Sequence, residues 1–389
     1  MFDFSHFLSD NYALVLAGVF LLATIVLCLY YGLYHLRVGR WQLKRQDVES
    51  TGSATVSGLP PVSVVLTAHN DASWLRENLV YLLEQDYPNF EVVVVDYLSQ
   101  DDTQFVLKLL KDYYPHMKVV TFKEDVNLYQ GKKYPLSIGI KSAKNDILLL
   151  ADPDCTPKNL QWLRGMVNGY RGKETQIVLG YCGLKRTKTL LGWLQEYDNL
   201  AYSAQYLGSA LAGHPYTGSG RNLSYRRSFF FSQGAFIRHY GVADGSDDLF
   251  VYHNANRKNT AVCINSDACL TTEPKKSFAA WHDMRRHRVA TRNWHSVWGR
   301  LAEDIPSIAN VLWYAAGVLL VINGSLPWIV VAGVALIRWA WQIVCFSQLT
   351  RRFDNSPVYI LAPLFEIYFM IANTILILSP LHSNRKFKK

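Results

Sequence analysis

Two aspartates flank one proline at Asp152-Pro153-Asp154, directly after the apolar run Ile147-Leu148-Leu149-Leu150-Ala151. Carboxylates are hard oxygen ligands, and a pair so spaced suits a divalent cation such as Mn²⁺ or Mg²⁺, which fills its remaining positions with water and substrate phosphates. An ordinary turn leading into a helix near Asn159 explains the same residues without a metal. A second acidic pair, Asp247-Asp248, follows Gly245-Ser246 where a loop enters a helix, and its simplest reading is an N-terminal cap. Lys132-Lys133 follow Gly131, and Asp96 follows the apolar run Val92-Val93-Val94-Val95. Between Lys275 and Arg300 basic and aromatic residues interleave, among them Trp281, Arg285, Arg286, His287 and His295.

The elements that must hold these residues read as an α/β domain. Val62–Thr67, Phe90–Val95, Lys118–Phe122 and Ile147–Ala151 are predicted strands, being short, apolar and largely β-branched. Amphipathic helices through Leu75/Leu79/Leu82 and Val106/Leu109/Leu110 separate the first three, which is a parallel-sheet signature. Unbroken apolar strands are expected to be buried on both faces and to deliver their acids to the C-terminal edge, where open α/β sheets bind ligands. Neither a GxGxxG nor a Walker loop occurs, which argues against NAD or P-loop ATP chemistry. Further along, Gln161–Tyr170 and Leu190–Ala212 read as helical, and Ile177–Tyr181 as a strand.

Half of the 389 residues are hydrophobic, and the excess is concentrated. Tyr12–Tyr34 carries no charged side chain and is long enough to cross a bilayer. It is read as a retained anchor, since Asp3 and Asp10 precede it and no small-residue cleavage site follows. Arg37, Arg40, Lys44 and Arg45 come next, so the positive-inside rule puts the following domain in the cytoplasm. Three more apolar segments, about Ile308–Ile322, Leu326–Phe346 and Pro357–Leu378, close the chain, with Arg338 and Glu366 inside the last two as a candidate ion pair. The organisation expected is an anchor at 1–36, a basic juxtamembrane linker at 37–60, an α/β domain at 61–274, amphipathic interface helices at 275–304, spans at 305–380 and a basic tail at 381–389. A net charge of +9 suits anionic lipid or a phosphorylated substrate. No nucleic-acid-binding motif is present. The six cysteines form no CxxC pair, so reduced thiols and no structural zinc are expected.

Taken in order, Val62–Asn70, Val92–Thr103, Gly131–Ile140, Ile147–Cys155, Gly218–Arg227, Asp247-Asp248 and Trp281–His287 resemble the membrane-bound family 2 inverting glycosyltransferases of the GT-A fold, over roughly Pro61–Arg292. The resemblance implies a nucleotide-sugar donor, most readily a UDP-sugar, whose base contacts Asp96 with Ala68 and Asn70 lining the pocket. It makes Asp152-Pro153-Asp154 a DxD motif, with Asp154 on a metal and Asp152 on ribose, donor sugar or metal, and puts Lys132 near the donor. Asp248 becomes the general base beside Asp247. The family's QxxRW motif stands here as Asp283-Met284-Arg285-Arg286-His287, which gives Arg286 to the diphosphate and Trp281 and His287 to the acceptor side. The implied partners are the lipid bilayer and a membrane lipid or lipid-linked glycan acceptor, and the implied location is a bacterial inner membrane. Three C-terminal spans are few for a polymer channel, which favours transfer of one sugar over a processive synthase. A nucleotidyltransferase and a nucleotide-binding membrane subunit without turnover are the competing readings.

Overall fold

The computed structural model describes residues 4–42, 58–122, 131–170, 174–242 and 244–378. Most of the expected linker and the whole basic tail, 381–389, lie outside them. The described residues form two compact units, one within Trp41–His295 and the other made of residues 4–40 and 296–378.

In the globular unit a seven-stranded sheet runs in the order β3-β2-β1-β4-β8-β6-β9. Its strands are β1 (Val62–Ala68), β2 (Phe90–Tyr97), β3 (Met117–Phe122), β4 (Ile147–Leu150), β6 (Ile177–Leu179), β8 (Leu223–Arg226) and β9 (Thr260–Val262). A smaller sheet, β5-β10-β7, joins Cys155–Pro157, Leu270–Thr272 and Cys182–Leu184. Side chains alternate across a strand. Val62, Val64 and Leu66 of β1 accordingly share one core with Val92 and Val94 of β2 and with Leu75, Leu79 and Leu82 of the Ala72–Leu83 helix. Val65 and Val95 face the other side, where the Lys133–Ser142 helix comes so close that a Cβ on Gly139 would lie 2.7 Å from Val65 and 2.9 Å from Val95. Both faces are therefore covered, which is why β2 and β4 carry the continuous apolar runs Val92–Val95 and Ile147–Leu150.

The expected parallel core is present, as β1 pairs in parallel with both β2 and β4. The sheet as a whole is mixed, because β8 runs antiparallel to β4 and to β6. No crossover helix leads directly into β8; it follows the loop after the long Leu190–Leu211 helix and enters the sheet from the opposite end.

The second unit holds four helices long and apolar enough to cross a membrane: Tyr12–Gly39, Glu303–Ile322, Trp328–Phe353 and Val358–Leu376. One precedes and three follow the globular unit, as the sequence predicts. The second span belongs to a helix that starts earlier than expected, Val297–Ile322, with Pro306 inside it. The third runs through Arg351 and Arg352 to Phe353. Arg338 and Glu366 do pair. The Arg338 guanidinium bonds the Glu366 carboxylate and donates to Asn310 Oδ1 at 2.6 Å, while lying 4.3 Å from the centre of the Trp313 ring. Tyr31 donates to the same carboxylate at 3.0 Å and accepts from Gln342 at 3.2 Å. Every span contributes to this buried network. Tyr31 opens a π-helical stretch, Tyr31–Leu36, in the first span and is itself buried.

Candidate active site

Register brings the first acids together. Ala68 lies opposite Asp96 across β1 and β2, and Val65 opposite Leu150 across β1 and β4. Two residues past Leu150, Asp152 therefore comes level with Thr67 at the same C-terminal edge. Asp96 is fully buried, and among the described residues neither carboxylate oxygen has a hydrogen-bond partner. A carboxylate removed from water without donors is costly, so such a group calls for a partner beyond the described residues, a bound ligand being one. Asn70 adopts φ +58°, a left-handed conformation that asparagine tolerates. Its backbone N–H donates to Ser99 Oγ at 3.0 Å and its Oδ1 accepts from the Gln100 N–H at 2.7 Å, tying together the loops that follow β1 and β2.

Asp152 and Asp154 do not serve the following helix. That turn is built by Asn159, whose Oδ1 accepts the Gln161 N–H at 2.9 Å. Asp152 and Asp154 instead meet cations. Lys132 Nζ lies 2.6 Å from Asp152 Oδ1, and Arg221 straddles the pair at 3.7 Å from each. Lys275 Nζ is 3.8 Å from Asp154. Antiparallel pairing explains Arg221, because Leu223 stands opposite Leu150 and so the loop before β8 reaches the C-terminal edge of β4. Burial pushes the Asp152 carboxyl up, but Lys132 and Arg221 outweigh it and hold it below the usual carboxylate range. Burial likewise acts to lower the Lys132 ammonium, and Asp152 with Asp247 holds it above its ordinary value. The two carboxylates suit a hard divalent cation that draws its other ligands from phosphates and water. Among the described residues no cluster of three or more His, Cys, Asp or Glu side chains converges.

A small cavity behind this edge is lined by Lys132, Asp152, Gly220, Ser246 and Asp247 against an apolar floor that includes Leu136 and Leu150. Asp247 precedes the Asp248–Asn254 helix, yet its side chain makes no capping bond there. Its Oδ2 accepts the Gly220 N–H at 2.5 Å. Burial pushes its carboxyl up, with Lys132 and the Gly220 N–H opposing. Asp248 has a different set of partners. Thr217 Oγ1 donates to its Oδ1 at 3.1 Å, His295 Nε2 lies 3.2 Å from that oxygen, and Thr291 Oγ1 donates to Oδ2.

The basic segment divides. Its Phe278–Ala290 helix and the turn through His295 belong to the globular unit, while Ser296 onward groups with the apolar helices. Arg285 and Arg288 turn inward to Asp198 at 3.4 and 3.3 Å. Trp281 is only 1% exposed and packs beneath Arg285, so its ring is not presented to an acceptor. His287 is exposed and its Nδ1 lies 3.1 Å from Asp244. Arg286 makes no ion pair with Asp152 or Asp154 among the described residues, where Arg221 and Lys275 stand instead. Arg221, Lys275, Thr217, Thr291 and His295 received no role from the sequence. The Gly218-Ser219-Gly220-Arg221 run was the one visible signal for Arg221.

Comparison with known proteins agrees with this geometry. Residues 63–240 match the family described as Glycosyl transferase family 2. The glycosyltransferase AglE of Haloferax volcanii is 31% identical over 126 residues, 32% of this chain and 40% of that protein. The beta-monoglucosyldiacylglycerol synthase of Synechocystis is 31% identical over 113 residues, 28% of this chain and 23% of that one. The alignments thus span less than half the length of these relatives. In fold, the chain is similar to a mannosyltransferase of Pyrobaculum calidifontis, PcManGT, solved with GDP-Man and Mn²⁺, with a TM-score of 0.58 at 18% identity over 95% of this chain and 99% of that one. An acid-tipped mixed sheet with this match makes residues 63–240 a glycosyl transferase family 2 domain of the GT-A fold.

Proposed function

We propose that the protein transfers one sugar from a nucleoside-diphosphate sugar, a UDP-sugar in the first instance, to a hydroxyl of a membrane lipid or lipid-linked glycan. The observation that carries this reading is the convergence at one sheet edge of a buried Asp96 without a hydrogen-bond partner among the described residues, the cation-bracketed Asp152 and Asp154, and Asp247, with Asp248 next to it in the chain. Asp96 receives the base of the nucleotide, with Ala68 and Asn70 beside it. Asp154, with Asp152, would hold a Mn²⁺ or Mg²⁺ ion, which supplies charge neutralisation to the diphosphate as it departs. Lys132, Arg221 and Lys275 add fixed positive charge for the same purpose.

The reaction is a single displacement. The acceptor hydroxyl gives its proton to a carboxylate, its oxygen bonds to the anomeric carbon, and the bond to the diphosphate breaks with its electron pair leaving on the nucleotide. One such step inverts configuration. Asp248 is assigned the proton because Asp247 faces Lys132 on the donor side. A second reading gives the proton to Asp247, favoured by its place in the cavity and its raised carboxyl. A mannosyltransferase similar in fold was solved with GDP-Man and Mn²⁺, and one relative is a synthase of monoglucosyldiacylglycerol, which supports a metal and a lipid acceptor. Arg37 and Arg40 at the end of the first span support a cytoplasmic face for the domain.

The test is release of nucleoside diphosphate by the detergent-solubilised full-length protein from a panel of UDP- and GDP-sugars, with Mn²⁺, Mg²⁺ or EDTA, with and without membrane lipid. Metal-dependent release that rises with lipid is expected, and Asp154→Asn should remove both that release and metal-dependent donor binding. Binding of nucleotide without release from any donor would overturn the reading in favour of a subunit without turnover, and release of pyrophosphate would point to nucleotidyl transfer.

A further inference from the structure

Asp248 begins a helix, and Tyr252 stands one turn further on the same face. His295, from the turn after the Phe278–Ala290 helix, stacks on Tyr252 with ring centres 4.2 Å apart and planes within 9°. Tyr216 meets its edge at 6.5 Å. Clamped in this way and only 6% exposed, the imidazole has its Nε2 aimed at Asp248 Oδ1. A carboxylate oxygen has two lone pairs. Thr217 and His295 fill both on Oδ1, and Thr291 takes one on Oδ2. A single acceptor position on Oδ2 is left over.

We infer that His295 is a positioning residue for the transfer: the imidazole, with a proton on Nε2, donates to Asp248 Oδ1 and fixes the carboxylate so that Oδ2 alone takes the acceptor proton. This rests on Asp248 as the base proposed above. The imidazole keeps its proton throughout. The hydroxyl O–H bond breaks toward Oδ2 while the new bond to the anomeric carbon forms and the diphosphate leaves.

Two substitutions separate the hydrogen bond from the packing. His295→Gln keeps an N–H near the position of Nε2 and loses the stack, whereas His295→Phe keeps the stack and loses the donor. With the full-length protein and the donor that proves active, His295→Phe is expected to lower kcat on the order of 10²-fold, the cost of a base misplaced by about 1 Å. Its donor KM and melting temperature should stay near those of the parent. His295→Gln should recover kcat to within a few-fold even if it melts earlier. The reverse ranking, Phe active and Gln inactive, would make His295 a packing residue and overturn the inference while leaving Asp248 as the base. Asp248→Asn is the companion variant: loss of turnover with donor binding retained supports the base assignment, and full turnover would remove that assignment and the role of His295 with it.

Discussion

Lys132 and Lys133 are chain neighbours with opposite duties. Lys132 reaches Asp152, whereas Lys133 is buried and its ammonium donates to the carbonyls of His239, Val242 and Asp244 at 2.7, 2.7 and 2.6 Å. Those carbonyls belong to the segment leading into Asp247 and Asp248. Burial pushes the Lys133 ammonium down to about 8, against the pull of Asp244, Asp247 and Asp248. Below that pH three N–H groups serve three carbonyls; above it a neutral amine has two, and one tie is lost. Turnover is therefore expected to fall as pH rises through about 8, and Lys133→Arg, which stays charged, should carry the alkaline limb upward in a pH profile of kcat. Stability moves the other way. The unfolded chain holds this proton up to about 10.5, so between roughly 8 and 10.5 it binds more protons than the folded one and this group's contribution to stability rises with pH.

At the scale of elements, the antiparallel β8 matters most. It carries Arg221 to the carboxylates of Asp152 and Asp154 and Gly220 to Asp247, and a Cβ at 220 would lie 2.9 Å from Asp247 Oδ2. Gly220→Ala must displace either the loop or the carboxylate, and kcat is expected to drop on the order of 10²-fold with the thermal melt little changed. Steady-state kinetics beside a melting curve check this. The same strand marks the limit of what the sequence discloses. β1, β2 and β4 were legible because burial on both faces leaves unbroken apolar runs, and the acids that end them stood out by contrast. β8 is a four-residue Leu-Ser-Tyr-Arg, and β5, β7 and β10 have three residues each, too short for a period to show. Their partners are set by tertiary pairing, so Arg221, Lys275 and the Thr217–His295 surround of Asp248 could not be foreseen. The burial of Trp281 was not legible for another reason: composition marks a segment as basic and aromatic but does not say which side of its helix faces inward. On that helix Arg285 and Arg288, three residues apart, share Asp198, with Trp281 beneath Arg285 and Tyr202 beneath Arg288.

At the scale of the whole molecule, the four spans meet at one buried charge pair. Glu366→Leu removes the carboxylate and strands a fully buried Arg338, which is expected to cost about 3–5 kcal/mol. In a detergent-solubilised thermal unfolding assay the single variant should melt early, and Arg338→Leu/Glu366→Leu together should recover most of the loss. Recovery is expected because apolar residues of similar volume replace a buried pair at little net cost. The network also sets a clock for biosynthesis. A ribosome delivers the helix bearing Arg338 before the one bearing Glu366, so for the interval between them a cation waits in the bilayer for its answer. Only the last helix supplies it. A chain interrupted before Glu366 thus leaves the Arg338 guanidinium with Asn310 but without its carboxylate.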